Sequence, residues 1–360
     1  MGALWKTNWP AARRHFVDWW NHTGLVVGGW QRCEPLHPHA AVDWPPAQSS
    51  IEQRHVDAEW RAQAERANMA HSLLYLDTLP IASTDIGPGS LGLMLGAEAN
   101  FARTTVWYEP CIVDPDRHPP LRFDPGRKWW RIHEAVIKAS VAAADGNYFV
   151  GCPDLIENFD TLAALRGTEP LLFDTLERPD WVVARIAEIN TAFFEAYQRI
   201  YDLIRDADGG ATFGAFRLWG PGKTAKVQCD AAAMLSPHMF RQFVMPALAA
   251  QCAWLDCAMF HLDGTQCVCH LDALLEIEAL DAIEWTPQAG RPGGGAPVWF
   301  DMYRRILGAG KSLQVVGVTL PEVVPLLDAI GPNGVYIMCN VDSEAEAEQL
   351  QKLVAPYYPG

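Results

Sequence analysis

The stretch Ala258-Met259-Phe260-His261-Leu262-Asp263-Gly264 sets a histidine and an aspartate two positions apart, behind three apolar residues and ahead of a glycine. Residues i and i+2 of a strand face the same way, so His261 and Asp263 present an imidazole and a carboxylate to one point. Such a pair can move protons, the carboxylate fixing the imidazole tautomer and raising its basicity. It can equally hold a divalent cation through nitrogen and oxygen. Gly264 lets the chain turn sharply or lets a ligand come close. Cys267 and Cys269 follow, in the order Cys-x-Cys-His with His270. The residues after them, 271–277, have the character of an ordinary helix, which reads against a metal loop there.

Other side chains are placed for a supporting role. Gln228, with Asp230 beside it, ends the stretch 226–229 of strand character and is a polar pocket candidate. Glu98, in Leu95-Gly96-Ala97-Glu98, reaches either a cleft or solvent. Tryptophan is the compositional outlier, with fifteen in the chain. Trp107 (beside Tyr108), Trp219 and Trp285 flank strand ends and are candidates for the wall of a pocket, where indole faces attract flat or cationic ligands. Packing in the core is the alternative for each.

The elements that must position these residues alternate. From about residue 78 onward, short apolar runs give way to polar or Gly/Pro breaks and then to helical segments. Strand character is expected at 79–83, 147–151, 211–216, 258–261, 282–285, 313–318 and 335–338, with an eighth strand around 226–229. Helices are expected at 128–144, 179–207, 236–254 and 343–354. This alternation predicts a parallel sheet, and eight strands would close an α/β (β/α)8 TIM barrel. An open doubly wound sheet is the rival, weakened because no Gly-x-Gly-x-x-Gly turn follows an early strand. The run Gly293-Gly294-Gly295 opens no helix directly and reads as a flexible loop. Residues 1–75 read as an N-terminal extension of helix and loop, with helices expected at 11–20 and 51–75 and an irregular crossing at 31–50; residues 76–360 read as the barrel.

Composition narrows the class of function. The chain has 360 residues, 28 Lys+Arg against 43 Asp+Glu, and a formal net charge of -15. That balance argues against nucleic acid or an anionic membrane surface as the main partner. No run of about 18 apolar residues exists for a membrane span, and the first ten residues lack the apolar stretch of a signal peptide. Nine cysteines, an odd number, fit free thiols in a reducing cytoplasm.

Several segments taken in order carry a resemblance. Leu162-Ala163-Ala164-Leu165-Arg166-Gly167, then Leu171-Leu172-Phe173-Asp174 and Arg178-Pro179, read as a helix-and-turn signature. Ser236-Pro237-His238-Met239-Phe240 follows, with Pro246 beyond it, before the strands at His261, 281–285 and the C-terminus. Together they resemble the uroporphyrinogen decarboxylase superfamily, a set of (β/α)8 barrels, over about residues 75 to 355. The decarboxylase branch carries an arginine-rich motif near its N-terminus to hold many substrate carboxylates. Arg13-Arg14 lie in a different context here.

The chain is more similar to the branch of methyltransferases that pass a methyl group between a corrinoid protein and a thiol such as coenzyme M. That branch binds zinc through His-x-Cys and a distant cysteine. The resemblance therefore implies His261, Asp263 and Cys339 as metal ligands, with Asp263 where the branch has cysteine. Cys339 ends Val335-Tyr336-Ile337-Met338-Cys339, 78 positions beyond His261. It also implies a role for Asp85, just past the first expected strand, in touching substrate. The expected function is a metal-assisted methyl (alkyl) transferase using Zn²⁺ or another divalent ion, a small-molecule substrate and a corrinoid partner protein, with a homodimer left open. Two alternatives stand beside it: a metal-free lyase using His261 and Asp85 as an acid–base pair on a small carboxylic acid, and a non-catalytic ligand-binding barrel.

Overall fold

The computed structural model describes residues 3–358 apart from Gln31, Arg32, Thr104 and Glu157, so the first two residues of the expected 31–50 crossing lie outside the described residues. Twelve strands are present among the described residues: β1 (Leu25–Gly28), β2 (Ile81–Ala82), β3 (Glu98–Phe101), β4 (Val106–Glu109), β5 (Phe149–Val150), β6 (Ala211–Phe213), β7 (Leu218–Gly220), β8 (Thr224–Gln228), β9 (Cys257–Asp263), β10 (Ala282–Thr286), β11 (Ser312–Val315) and β12 (Val335–Met338). Six of them form one parallel sheet in the order β1-β12-β11-β10-β9-β8, and β2 pairs with β5 in parallel. These eight are the staves of an α/β barrel, with helices packed around it.

Between β5 and β8 the wall is patched by the antiparallel hairpin β6–β7. A parallel bridge from Cys152 to Phe213 and the hydroxyl of Thr212, donating to the Val150 carbonyl at 3.0 Å, tie the hairpin to β5. On the other side Thr84 links the ends of β2 and β5, donating to the Gly151 carbonyl at 2.7 Å. A second hairpin, β3–β4, projects from the rim.

The N-terminal residues correct one expectation. Leu25–Gly28 is a fully buried strand paired with β12 from Leu25↔Val335 to Gly28↔Met338, so the first 75 residues are not helix and loop alone. Four residues are too few to display an alternating pattern, and a strand buried on both faces shows none. The helix Trp9–Trp20 before it carries Pro10 in its first turn, where a missing N–H costs nothing. Phe16, Trp19 and Trp20 lie on its buried side. The helical stretch expected over 51–75 is two helices, Ile51–Val56 and Ala58–Ala70, broken at Asp57, which is extended and caps the second through Trp60 N at 3.1 Å. The expected 236–254 helix holds as far as Met239, passes through a wider turn over Phe240–Val244, and resumes at Met245. Pro246 has no N–H to return to Gln242, and the wider turn absorbs that missing bond.

Parallel register places one residue from each strand of the large sheet at the same height. Gln228, His261, Glu284, Gln314, Tyr336 and Val26 are successive partners across the six strands. The level is polar for most of its length and sits near the C-terminal ends of the strands, where barrels of this kind carry their chemistry.

Candidate functional site

Alternation along β8, β9 and β10 decides which side chains face the barrel axis. On β8 these are Lys226 and Gln228; on β9, His261 and Asp263; on β10, Glu284 and Thr286. His261 is largely buried, with Glu284 fully so, and the imidazole Nδ1 is hydrogen-bonded to the Glu284 carboxylate. Thr286 donates its hydroxyl to the other Glu284 oxygen at 2.7 Å. Burial opposes charge on His261, but the Glu284 carboxylate outweighs it and the histidine pKa lies above its ordinary value. Phe216 packs against the ring, centroid to centroid 4.8 Å.

One group of donors converges there. Ligand atoms of Asp230, His261 and Asp263 lie within 4.8 Å of one another, with His261 the most buried of the three residues. Asp230 is held from two sides. Its backbone N–H donates to Asp160 Oδ2 at 2.7 Å, while Gln228 Nε2 donates to its Oδ2 at 2.9 Å. Burial, and then the neighbouring Asp160 charge, raise the Asp230 pKa; burial raises that of Asp160. Behind Gln228 stands Lys226, whose ammonium contacts both Asp154 oxygens, at 2.8 and 3.0 Å. Two carboxylates and an imidazole make a nitrogen-and-oxygen donor set that suits Zn²⁺ or a harder ion such as Mn²⁺ or Fe²⁺.

The residues singled out from the sequence fall into three groups. His261, Asp263 and Gln228 are together at this point. Cys339 is not in the donor group, where Asp230 stands instead. The cysteine follows β12 with its backbone tied to Gly28 and to the Tyr75 hydroxyl, and burial raises its thiol to about 11. The expected ligand rested on the family resemblance; here β12 is separated from β9 by two strands. Asp85 lies further round the barrel mouth with its carboxylate already occupied: Oδ1 accepts from Asp154 N at 2.6 Å and Oδ2 from the Ser83 hydroxyl at 2.8 Å. Burial and the Asp154 charge raise its pKa. No hydrogen bond joins it to His261 among the described residues.

Trp219, Trp285 and Glu98 are elsewhere. Trp219 is completely buried in the patched wall, donating to Asp206 Oδ2 at 2.9 Å and meeting Trp9 edge-on at 5.1 Å. Gly210 leaves it room, since a Cβ there would fall 2.6 Å from the indole. Trp285 neighbours Glu284 and so faces the opposite side of the sheet, against Trp299 at 5.0 Å. Both are core packing. Trp107 is 67% exposed on β4 and lines, with Tyr108 and Asp160, an open cleft of about 420 Å³. Glu98 is exposed on β3, accepting from Trp129 Nε1 at 3.1 Å. Cys267 is buried and Cys269 exposed; neither is in the donor group.

Asp230, Glu284, Asp160 and the Lys226–Asp154 pair are site residues that the sequence did not single out. Two had a visible signal. Glu284 is a lone carboxylate within the apolar run Ala282-Ile283-Glu284-Trp285, and Lys226 stands two positions before Gln228.

No family model matches the chain, and no curated protein does so either. Among solved structures, a methyltransferase from Methanosarcina mazei superposes with a TM-score of 0.58 at 12% identity, covering 98% of this chain and 98% of that chain. A B12-independent methionine synthase from Shewanella sp. W3-18-1, in complex with selenomethionine, gives a TM-score of 0.47 at 10% identity, covering 92% and 96%. At such identities the likeness to the first is one of fold, extending over nearly the whole chain.

Proposed function

We propose that this barrel is a divalent-cation-dependent methyltransferase acting on a small molecule, with Asp230, His261 and Asp263 as the protein ligands. The observation that carries the reading is their convergence within 4.8 Å at the C-terminal ends of β8 and β9. The Methanosarcina mazei neighbour, which shares the fold, is itself described as a methyltransferase. A thiol acceptor and a corrinoid partner as methyl donor follow from the sequence resemblance.

The chain's own residues do the arranging. With a proton on Nδ1 donated to Glu284, His261 keeps the Nε2 lone pair for the shared point. Gln228 occupies the Oδ2 oxygen of Asp230. A cation held by these groups would supply Lewis-acid chemistry, lowering the pKa of a bound thiol so that a thiolate is available at neutral pH. The open cleft beside Trp107 and Asp160 gives a small molecule an approach to the same rim. The lyase reading loses ground, because both oxygens of Asp85 are engaged away from His261.

Protein purified without chelator, analysed for metal and then titrated with Zn²⁺, Mn²⁺ and Fe²⁺ after stripping, tests the reading. We expect one bound cation per chain, affinity lowered about 100-fold or more in His261→Ala and Asp230→Asn, and methyl transfer from methylcobalamin to a thiol only in the loaded wild type. A wild type that takes up no cation, or variants that bind as it does, would sink it.

A further inference from the structure

The Lys226 side chain is completely shielded from solvent, and its ammonium rests against both oxygens of Asp154. A buried lysine is costly unless paired and hydrogen-bonded, and nothing in the fold requires one here: it occupies an inward position of β8 between Phe213 and Phe216, 5.6 and 5.9 Å from their ring centroids. A further contact of the ammonium explains why it is there. The ammonium also donates to Gln228 Oε1.

That contact determines which way the Gln228 amide faces. An ammonium has donors only, so Gln228 must turn its oxygen toward Lys226 and its NH₂ toward Asp230, where it donates to Oδ2 at 2.9 Å. Were the amide reversed, its NH₂ would meet the ammonium and its oxygen would meet the carboxylate, both repulsive. Asp154 in turn is anchored from β2's end, its backbone N–H donating to Asp85 Oδ1 at 2.6 Å. A continuous polar chain thus runs from the patched wall through Asp154, Lys226 and Gln228 to one oxygen of Asp230.

We propose that Lys226 is a positioning residue for the cation site: through Gln228 it holds Asp230 Oδ2 and leaves Oδ1 as the single ligand oxygen of that carboxylate. The inference rests on the proposed cation centre and goes beyond it, since Lys226 is not itself in the donor group. The lysine's charge, paired with Asp154, sets the amide's direction.

The experiment uses the full chain with Co²⁺ and Zn²⁺ as probes, in wild type, Lys226→Met, Gln228→Leu and the double variant, each checked for folding by circular dichroism. The expected result is a loss of about tenfold in cation affinity for each single variant and a changed visible absorption spectrum of bound Co²⁺, reporting altered coordination by Asp230. Because both residues act through one oxygen, the double variant should bind as Gln228→Leu does alone. Gln228→Leu keeps the test open if Lys226→Met fails to fold, since the strut is cut at the next link with the ion pair left in place. A Gln228→Leu protein with wild-type affinity and an unchanged Co²⁺ spectrum overturns the positioning role, as does Lys226→Met lowering only the melting temperature. A wild type that takes up no cation overturns the cation centre and this inference together; a wild type that binds while the variants bind equally overturns this inference alone.

Discussion

The six strands from β8 round to β1 and the stretch that closes the barrel opposite them hold their side chains by different means. In the first region, unbroken parallel register sets one level of inward side chains, from Gln228 through His261 and Glu284 to Gln314 and Tyr336. In the second, β2 and β5 are two residues long and the hairpin β6–β7 fills what remains. There, side chains do what ladders do elsewhere: Thr84 and Thr212 bond carbonyls of the neighbouring strand, Arg217 donates to the Ile81 carbonyl at 2.7 Å, and Arg61 to that of Ser83 at 3.3 Å. A ladder repeats and so positions any residue that falls on it. A patch positions only what its particular side chains reach. The ligand candidates His261 and Asp263 come from the first region, with Asp230 just beyond its edge strand. The second contributes Asp154 and Asp85, one step removed.

Substitutions can break or sharpen that contrast. The largest effect is expected from Trp219→Ala in the patched wall. It empties a fully buried site and leaves Asp206 without its indole donor, and should cost about 3–5 kcal/mol in urea unfolding. A loss under about 1 kcal/mol would mean that the hairpin is dispensable filling. Next comes acid sensitivity. His133, fully buried on the Lys128–Ala144 helix that packs on β5, has its pKa lowered from 6.5 to about 4, mainly by burial. The unfolded chain therefore takes up the proton first. Stability is complete above about pH 6.5 and is lost as pH falls toward 4, by about 3 kcal/mol. His133→Leu should flatten the profile across that window; an unchanged profile would assign the acid sensitivity to other groups.

Thr212→Val and Thr84→Val remove single hydroxyl-to-carbonyl bonds from the patch and should each cost about 1 kcal/mol. Ser312→Ala, in the continuous sheet, removes a hydroxyl that bonds Trp19 O and His22 rather than a neighbouring strand. If the patch depends on its side chains, hydrogen exchange at β5 should speed up in the threonine variants, whereas exchange at β11 should stay as in wild type in Ser312→Ala. Equal acceleration would remove the distinction. The smallest effect belongs to Glu98→Gln on the projecting hairpin, within about 0.5 kcal/mol of wild type and without change in cation affinity; a larger shift would join that hairpin to the site.

Much of the barrel was legible in the chain. Seven of the staves fall where the chain shows strand character, which is mostly apolar because a strand buried between helices keeps an apolar outer face. The exception is instructive. Leu25–Gly28 is as apolar as the others, but it precedes the regular alternation and runs into Gly29, so nothing nearby marks it as a stave. The expected single strand over 211–216 is instead the hairpin β6–β7, whose turn, Gly214-Ala215-Phe216-Arg217, lacks a strong breaker pair; Arg217 takes a positive φ of 52° there.

At the site, local order and distant order parted company. The i, i+2 spacing of His261 and Asp263 determined by itself that they share a face, since that follows from strand geometry alone. Gln228 joins them from the next strand, opposite His261 in the register of β8 with β9. Which third group joins them is a question of which strands are neighbours, and register answers it: β8 lies beside β9, so Asp230 is within reach, whereas Cys339 on β12 is two strands further round. Glu284 is the partner of His261 for the same reason, being opposite it across one ladder. The orientation of the tryptophans was likewise decided only by the closed barrel, which turned Trp285 outward and enclosed Trp219. Sequence spacing determines what a side chain shares with its own strand; strand order determines what it meets, and no local signal encodes that order.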